Sequence, residues 1–177
     1  ILKRSAADKK LFEKTGKAVV FEDIKSMSKL IDNKSLKISK NDFLILKNIG
    51  PKTVYGMPEA GYLPIPKKLL KSGVKDMIRI SDGRMSGTAF GTIILHVSPE
   101  SSVGGPFSII KNGDKIKLSV KNKRLDLIIS KNELKNRLNK QISKKIPNIK
   151  RGYLKLYYDS VLQAHEGCDF DFLQYKK

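Results

Sequence analysis

Two hydroxyls set one residue apart, Ser86 and Thr88, flank Gly87 in the run Ser81-Asp82-Gly83-Arg84-Met85-Ser86-Gly87-Thr88. A serine is a poor base or nucleophile at its ordinary pKa, and it needs nearby N–H donors or a cation to hold an alkoxide. A glycine-rich turn supplies such donors by bringing backbone N–H groups close to whatever binds there. The alternative is a pair of hydroxyls that only close a turn. The spacing is not Gly-x-Ser-x-Gly, so a hydrolase nucleophile elbow is not indicated. Glu59, on the Pro/Gly-stiffened stretch Tyr55-Gly56-Met57-Pro58-Glu59, is a candidate ligand for a hard cation such as Mg²⁺; a solvated loop acid is the plainer reading. Asp82 and Arg84 either fix the turn as an ion pair, or Arg84 holds a substrate carboxylate bidentately. His96 sits at a strand end, where a hydrogen-bonded core histidine is the simpler role. His165, Cys168, Asp169 and Asp171 look like a site by composition but lie near the end of the chain, where solvated polar residues are common.

The elements that must position these residues can be read in order. Residues 1–16 are basic and polar and read as a connecting arm, and 17–177 as the domain. Ala18–Phe21, Asp42–Lys47 and Asp76–Ile80 are short apolar strands, and Ile93–Val97 carries the strand signal that leaves the Ser86 turn. Glu22–Asp32 has apolar residues at helical spacing. Leu36 and Ile38 are weakly strand-like. Residues 48–66 hold four prolines and three glycines, which marks a long ordered loop. Pro66–Lys71 reads as a short helix with Gly73 beyond its end. Ser98-Pro99-Glu100 signals a helix start. Phe107–Ile110, Lys115–Val120 and Leu125–Ile129 read as strands, with turns at Asn112-Gly113-Asp114 and Asn122-Lys123-Arg124. Ser130 caps a helix that runs through Leu138 and Ile142 and stops at Pro147, and Gly152–Ala164 is a last helix. The sum is a mixed α/β domain with a barrel-like sheet flanked by helices.

Composition bounds the partners. The 177 residues suit one domain with a real core, and 40% hydrophobic content argues against disorder. No apolar run approaches the ~18 residues of a membrane span. The first residue is Ile, not Met, and no signal segment follows, so the chain reads as a piece of something longer, and as cytoplasmic. The net charge of +19 would suit an anionic surface. However, the basic residues are spread along the whole chain, only six of the 36 are Arg, and no basic–aromatic interleaving occurs, which argues against a nucleic-acid partner. One cysteine, Cys168, excludes an internal disulfide and a cysteine-only metal site within the chain.

Taken together, four segments resemble one family of dehydratases, which includes dihydroxy-acid dehydratase, phosphogluconate dehydratase and the arabinonate and xylonate dehydratases. They are Asn48-Ile49-Gly50-Pro51-Lys52, Gly56-Met57-Pro58-Glu59, Ser81 through Thr88, and His96-Val97-Ser98-Pro99-Glu100 with Gly104-Gly105-Pro106. The match runs in order from Ser5-Ala6-Ala7 to the tail and covers the family's C-terminal domain, which resembles the swivelling domain of aconitase. Leu63-Pro64-Ile65-Pro66-Lys67-Lys68-Leu69 and the tail Arg151-Gly152-Tyr153 through Leu173 resemble the sugar-acid branch; dihydroxy-acid dehydratases lack that tail. The resemblance implies a hydro-lyase that removes water from a sugar acid (a pentonate or related aldonate) to give a 2-keto-3-deoxy acid. It implies a Mg²⁺ ion and an iron–sulfur cluster, [2Fe-2S] or [4Fe-4S], held mainly by an N-terminal domain that is not in this chain. It also implies Ser86 as the base at C2, Thr88 as an assisting hydroxyl and Glu59 as one Mg²⁺ ligand. The partners implied are the protein's own N-terminal domain and further copies in a homodimer or homotetramer, and the isolated chain is expected to be inactive. The alternatives are a dihydroxy-acid dehydratase of branched-chain amino-acid synthesis, or a non-catalytic basic binding module with the same fold.

Overall fold

The computed structural model describes residues 1–53, 56–57, 63–84, 86–141 and 149–174. Its frame is a six-stranded mixed sheet curved into a half-barrel, with strand order β4-β3-β2-β1-β5-β6. The strands are β1 (Glu13–Phe21), β2 (Phe43–Leu46), β3 (Arg79–Ser81), β4 (Ile93–Ile94), β5 (Lys115–Ser119) and β6 (Arg124–Ile128). Strands β1 to β4 are mutually parallel, whereas β5 and β6 run antiparallel. Along β1 the partner changes: Glu13–Lys17 pair with β5 and Ala18–Phe21 with β2.

The expected all-apolar β2 is buried on both faces. Alternate side chains project to opposite sides of a sheet. Leu44 and Leu46 therefore join Val19, Phe21, Met27 and Leu63 on one side. Phe43 and Ile45 join Ala18, Ile78, Ile80 and Ile116 on the other. Helix α1 (Ile24–Leu30) packs on the first side and is closed by a capping box between Asp23 and Ser26. Helix α2 (Lys67–Lys71) ends before Gly73, whose φ of +85° is the left-handed conformation that stops a helix. Helix α3 (Lys131–Asn139) is capped by Ser130, which accepts the Glu133 N–H.

Several expectations are corrected. Phe107–Ile110 forms turns, not a strand: its apolar residues are buried, but both edges of β5 are already taken by β1 and β6. Leu36 and Ile38 form no strand and only pack against the core. The signal at Ser98-Pro99 does not open a helix; a 3-10 turn begins later, at Ser101, because Glu100 turns into the core ahead of it. The last helix, α4 (Tyr153–Ser160), stops short of Ala164, where Val161 becomes extended and bridges Phe170. Residues 142–148, where α3 was expected to continue, lie outside the described residues. Strand β1 starts at Glu13, five residues earlier than the strand expected from Ala18, since its one-sided polar stretch pairs with β5. The residues before it lie along the other edge. Leu2 bridges Ile94, and the Ala6 carbonyl accepts the Gly91 N–H at 2.9 Å. No helix among the described residues is long and apolar enough to cross a membrane.

The loop that returns from the Ser86 turn is pinned by a buried ion pair. Arg79 is 1% exposed and its guanidinium meets Asp76 at 3.2 Å; it also donates to the Leu63 and Phe90 carbonyls. Asp76 accepts the N–H and hydroxyl of Thr92 at 2.8 and 2.7 Å. Removing one partner of such a pair leaves a buried charge without its counter-charge. Asp76→Ala is therefore expected to cost about 3–5 kcal/mol, read as a lowered denaturant midpoint.

Candidate functional site

The parallel strands deliver three loops to one edge of the sheet, and two buried carboxylates tie those loops together. Asp82 follows β3 directly and is wholly buried. Its oxygens accept three backbone N–H bonds, from Asn48 (3.1 Å), Ile49 (3.1 Å) and Ser101 (2.9 Å). The loop after β2, the turn after β3 and the segment after β4 thus meet on one side chain. Asp82 does not pair with Arg84, so the expected ion pair is not what fixes this turn. A carboxylate able to satisfy three otherwise orphaned buried amides is directed at those amides. Burial pushes its pKa up, against the pull of the same N–H donors.

Glu100 is the second carboxylate and is 1% exposed. Its Oε1 accepts the Lys52 N–H at 2.7 Å and the Gln163 Nε2–H at 2.8 Å, while its own N–H donates to Gln163 Oε1 at 3.0 Å. Oε2 is buried with no partner at hydrogen-bonding geometry. It lies against Gly50, where a Cβ would sit 2.1 Å away, so only glycine fits. Burial raises the Glu100 pKa, and nearby Asp82 adds to the rise. The sequence reading has Asp82 fixing the turn but not the amides it accepts, and it gives Glu100 no structural role. Gly50 and Gly83 were the available signal: a Cβ on Gly83 would lie 2.4 Å from the Ile49 side chain, so both glycines mark close backbone approach.

On this anchored base stands the turn itself. Ser86 and Thr88 are exposed, and their hydroxyl oxygens are 2.9 Å apart. The Thr88 N–H donates to Ser86 Oγ at 3.3 Å, the Ala89 N–H to the Ser86 carbonyl at 2.9 Å, and Lys3 Nζ to the Gly87 carbonyl at 2.9 Å. Ser86 Oγ can thus receive two donors from Thr88 while facing open space. Gly87 has no heavy atom within 4 Å of a built Cβ, and its φ lies outside the left-handed region. This chain does not require a glycine there.

The other candidates sort differently. Glu59 lies outside the described residues; Gly56 and Met57 before it both have positive φ, of 60° and 52°. His96 is half-buried with φ of 53°, its N–H donates to the Gly83 carbonyl, and desolvation lowers its pKa. His165 Nδ1 meets Ser98 Oγ at 2.6 Å. The Cys168 thiol is half-buried and its pKa is raised by burial and by Glu100, which makes it a poor thiolate. Among the described residues no three His, Cys, Asp or Glu side chains gather where they could hold a metal, so His165, Cys168, Asp169 and Asp171 do not form such a site.

A half-barrel that presents a hydroxyl pair on a doubly anchored turn is a domain shaped around one loop. The chain belongs to the dihydroxy-acid/6-phosphogluconate dehydratase family, whose C-terminal sequence model matches residues 1–168. It is 47% identical to an L-arabonate dehydratase of Azospirillum brasilense and 46% identical to a 6-deoxy-6-sulfo-D-gluconate dehydratase of Pseudomonas putida, each over 98% of the chain. It is 36% identical to a dihydroxy-acid dehydratase of Saccharolobus islandicus over 95% of the chain. It spans 29–30% of the length of these relatives.

The raised Glu100 pKa has a pH consequence. The folded state holds the proton more tightly than the unfolded chain does. The stability this carries is complete below the ordinary carboxylate range and is lost as pH rises through the folded pKa. Glu100→Gln cannot ionise. Its melting temperature relative to wild type is expected to rise between about pH 4 and pH 8, as thermal unfolding at stepped pH would record. At Gly87, alanine is expected to leave the melting temperature within about 1 °C of wild type.

Proposed function

We propose that this chain is the C-terminal domain of a hydro-lyase that dehydrates a sugar acid, a pentonate or related aldonate, to a 2-keto-3-deoxy acid. Ser86 is the base. As alkoxide it takes the C2 proton; the C2–H electron pair becomes the C2–C3 double bond; the C3 hydroxyl leaves with the C3–O electron pair and is protonated to water by the proton Ser86 has taken, which restores the alkoxide; and the resulting enol tautomerises to the 2-keto acid. The observation that carries this reading is the Ser86–Thr88 hydroxyl pair, exposed on a turn whose base is immobilised by Asp82. Thr88 supports the alkoxide with its hydroxyl and its N–H. Gly87 leaves room for a substrate to approach the pair. The names of the relatives at 46% and 47% identity favour the sugar-acid branch over the branched-chain one.

The described residues do not by themselves make a ligand set for Mg²⁺ or for an iron–sulfur cluster, and Cys168 is the chain's one cysteine. In this proposal Glu59 contributes one Mg²⁺ ligand. The remaining ligands and the cluster belong to an N-terminal domain of the same protein, in a cytoplasmic dimer or tetramer. The steps given above use only residues of this chain.

The test is 2-keto acid formation by the full-length protein, purified without oxygen, from a panel of pentonates, hexonates and 2,3-dihydroxyisovalerate. Pentonate or hexonate turnover is expected, and Ser86→Ala is expected to lower kcat by at least ~10³-fold with the cluster intact. Thr88→Val is expected to cost about 10–100-fold. No turnover of any panel member by folded, cluster-loaded enzyme would overturn the reading. The 177-residue chain alone is expected to be inactive on the same panel.

A further inference from the structure

Gln163 belongs to the C-terminal segment, far in sequence from the Ser86 turn, yet a short series of direct contacts joins the two. The Gln163 side-chain amide grips Glu100 at both ends, giving Nε2–H to the carboxylate and taking the Glu100 N–H on Oε1. The next N–H along, that of Ser101, is held by Asp82. Asp82 opens the turn that carries Ser86. The same Glu100 oxygen also holds the Lys52 N–H, and Lys52 Nζ reaches back to the Tyr158 and Asp159 carbonyls at the end of α4. The C-terminal segment therefore meets the loop after β2 through Lys52, and the segment after β4 through Glu100 and, by the His165–Ser98 bond, through Ser98.

We propose that Glu100 is a positioning residue: through Gln163 and Asp82 it locks the C-terminal segment, the 48–53 loop and the Ser86 turn into one rigid unit, so that the tail sets where Ser86 stands. Gly50 is the complement to this role, because its missing Cβ is what admits the carboxylate. The unpartnered, buried Oε2 makes a neutral carboxylic acid the natural form here, since an ionised oxygen without a partner is the costlier one to bury. Besides Gln163, the groups that bear on Glu100 are Lys52, Asp82, Ser102, Tyr157, Tyr158 and Cys168; the Ser102 hydroxyl and the Gln163 amide favour the ionised form, against burial, which favours the neutral one. The lysine directs its charge to carbonyls and not to the carboxylate, which leaves no cation to hold Glu100 ionised among these groups. Contact alone does not establish coupling; a non-additive response to two separate changes does.

Only the catalytic half of this proposal rests on the dehydratase reading, so the test has two readouts. The first is amide hydrogen exchange in the full-length protein. Glu100→Ala and Gln163→Ala are each expected to raise exchange about tenfold in peptides covering 48–53 and 82–89, while β5 and β6 keep wild-type protection. The double variant is expected to exchange no faster than Glu100→Ala alone, and Glu100→Gln, which keeps the Oε1 acceptor, to stay within about twofold of wild type. The second readout is kinetic: kcat is expected to fall about tenfold in both alanine variants with KM within about twofold, since a displaced base costs the transition state and not substrate binding. Exchange that rises only in 160–168 for Gln163→Ala, or equally across β5 and β6 for Glu100→Ala, would overturn the proposal by reducing Glu100 to an ordinary core contact. Additive exchange in the double variant would overturn it as well. If Glu100→Ala does not fold, Gln163→Ala and Glu100→Gln still decide. A protein that turns over no sugar acid would defeat the dehydratase reading while leaving the exchange result in force.

Discussion

A fully buried carboxylate that accepts three backbone N–H bonds is the constraint on which the loop edge of this domain depends. Without Asp82, the buried amides of Ile49 and Ser101 would be orphaned at a cost of about 1–3 kcal/mol each, and the partly buried amide of Asn48 would lose its acceptor. With it, three loops that are remote in sequence share one point. Loops of this kind carry their own backbone polarity as a liability, because no strand ladder satisfies them. A second buried carboxylate close by, Glu100, would be expected to repel the first; burial raises the Glu100 pKa, and the nearness of Asp82 adds to the rise. The two are compatible because Asp82 accepts three backbone N–H bonds and burial favours the protonated form of Glu100.

This arrangement explains the distribution of rigidity. The sheet contributes the frame, and its parallel half brings the loops after β2, β3 and β4 out at the same edge, where open α/β sheets commonly present their ligand sites. The exposed hydroxyls of Ser86 and Thr88 stand only a few residues from a side chain with no solvent contact. Under the proposed reading that combination suits a base, accessible at its tip and immobile at its root. Lys3 adds an independent restraint on the turn from the N-terminal segment.

Much of this was legible in the sequence where local rules decide. The all-apolar run Phe43–Leu46 could only be a strand covered on both sides, Gly73 stopped α2, and Ser130 with Glu133 opened α3. The Ser86 turn was legible because glycines and hydroxyls cluster between two strand signals. What was not legible depended on tertiary partners. Phe107–Ile110 has strand composition, but β5, the strand that follows it, is already paired on both edges by β1 and β6. Glu100 looks like any acid after a proline until Gly50 is seen against it. Asp82 and Arg84 read as a pair because they are two apart, whereas the donors that claim Asp82 come from positions 34, 33 and 19 residues away. Periodicity reports which face is buried; it does not report which backbone amides will need an acceptor.

The change of partner along β1 has a consequence of its own. Residues 13–17 belong to the antiparallel half of the sheet and residues 18–21 to the parallel half, so one nine-residue strand is the seam between two differently built hairpin and crossover systems. The β5–β6 hairpin is closed by a local turn, whereas the parallel pairs of β1 to β4 are closed by longer connections. The ladder with β5 ends at Lys17, yet Ala18 still gives its N–H to the Asp114 carbonyl and takes the Gly113 N–H, and Ile116 and Leu118 of the hairpin share one core with Phe43, Ile45 and Ile80 of the parallel half. The seam therefore fastens the two halves to each other: peeling the hairpin away would open the core beneath the parallel strands as well.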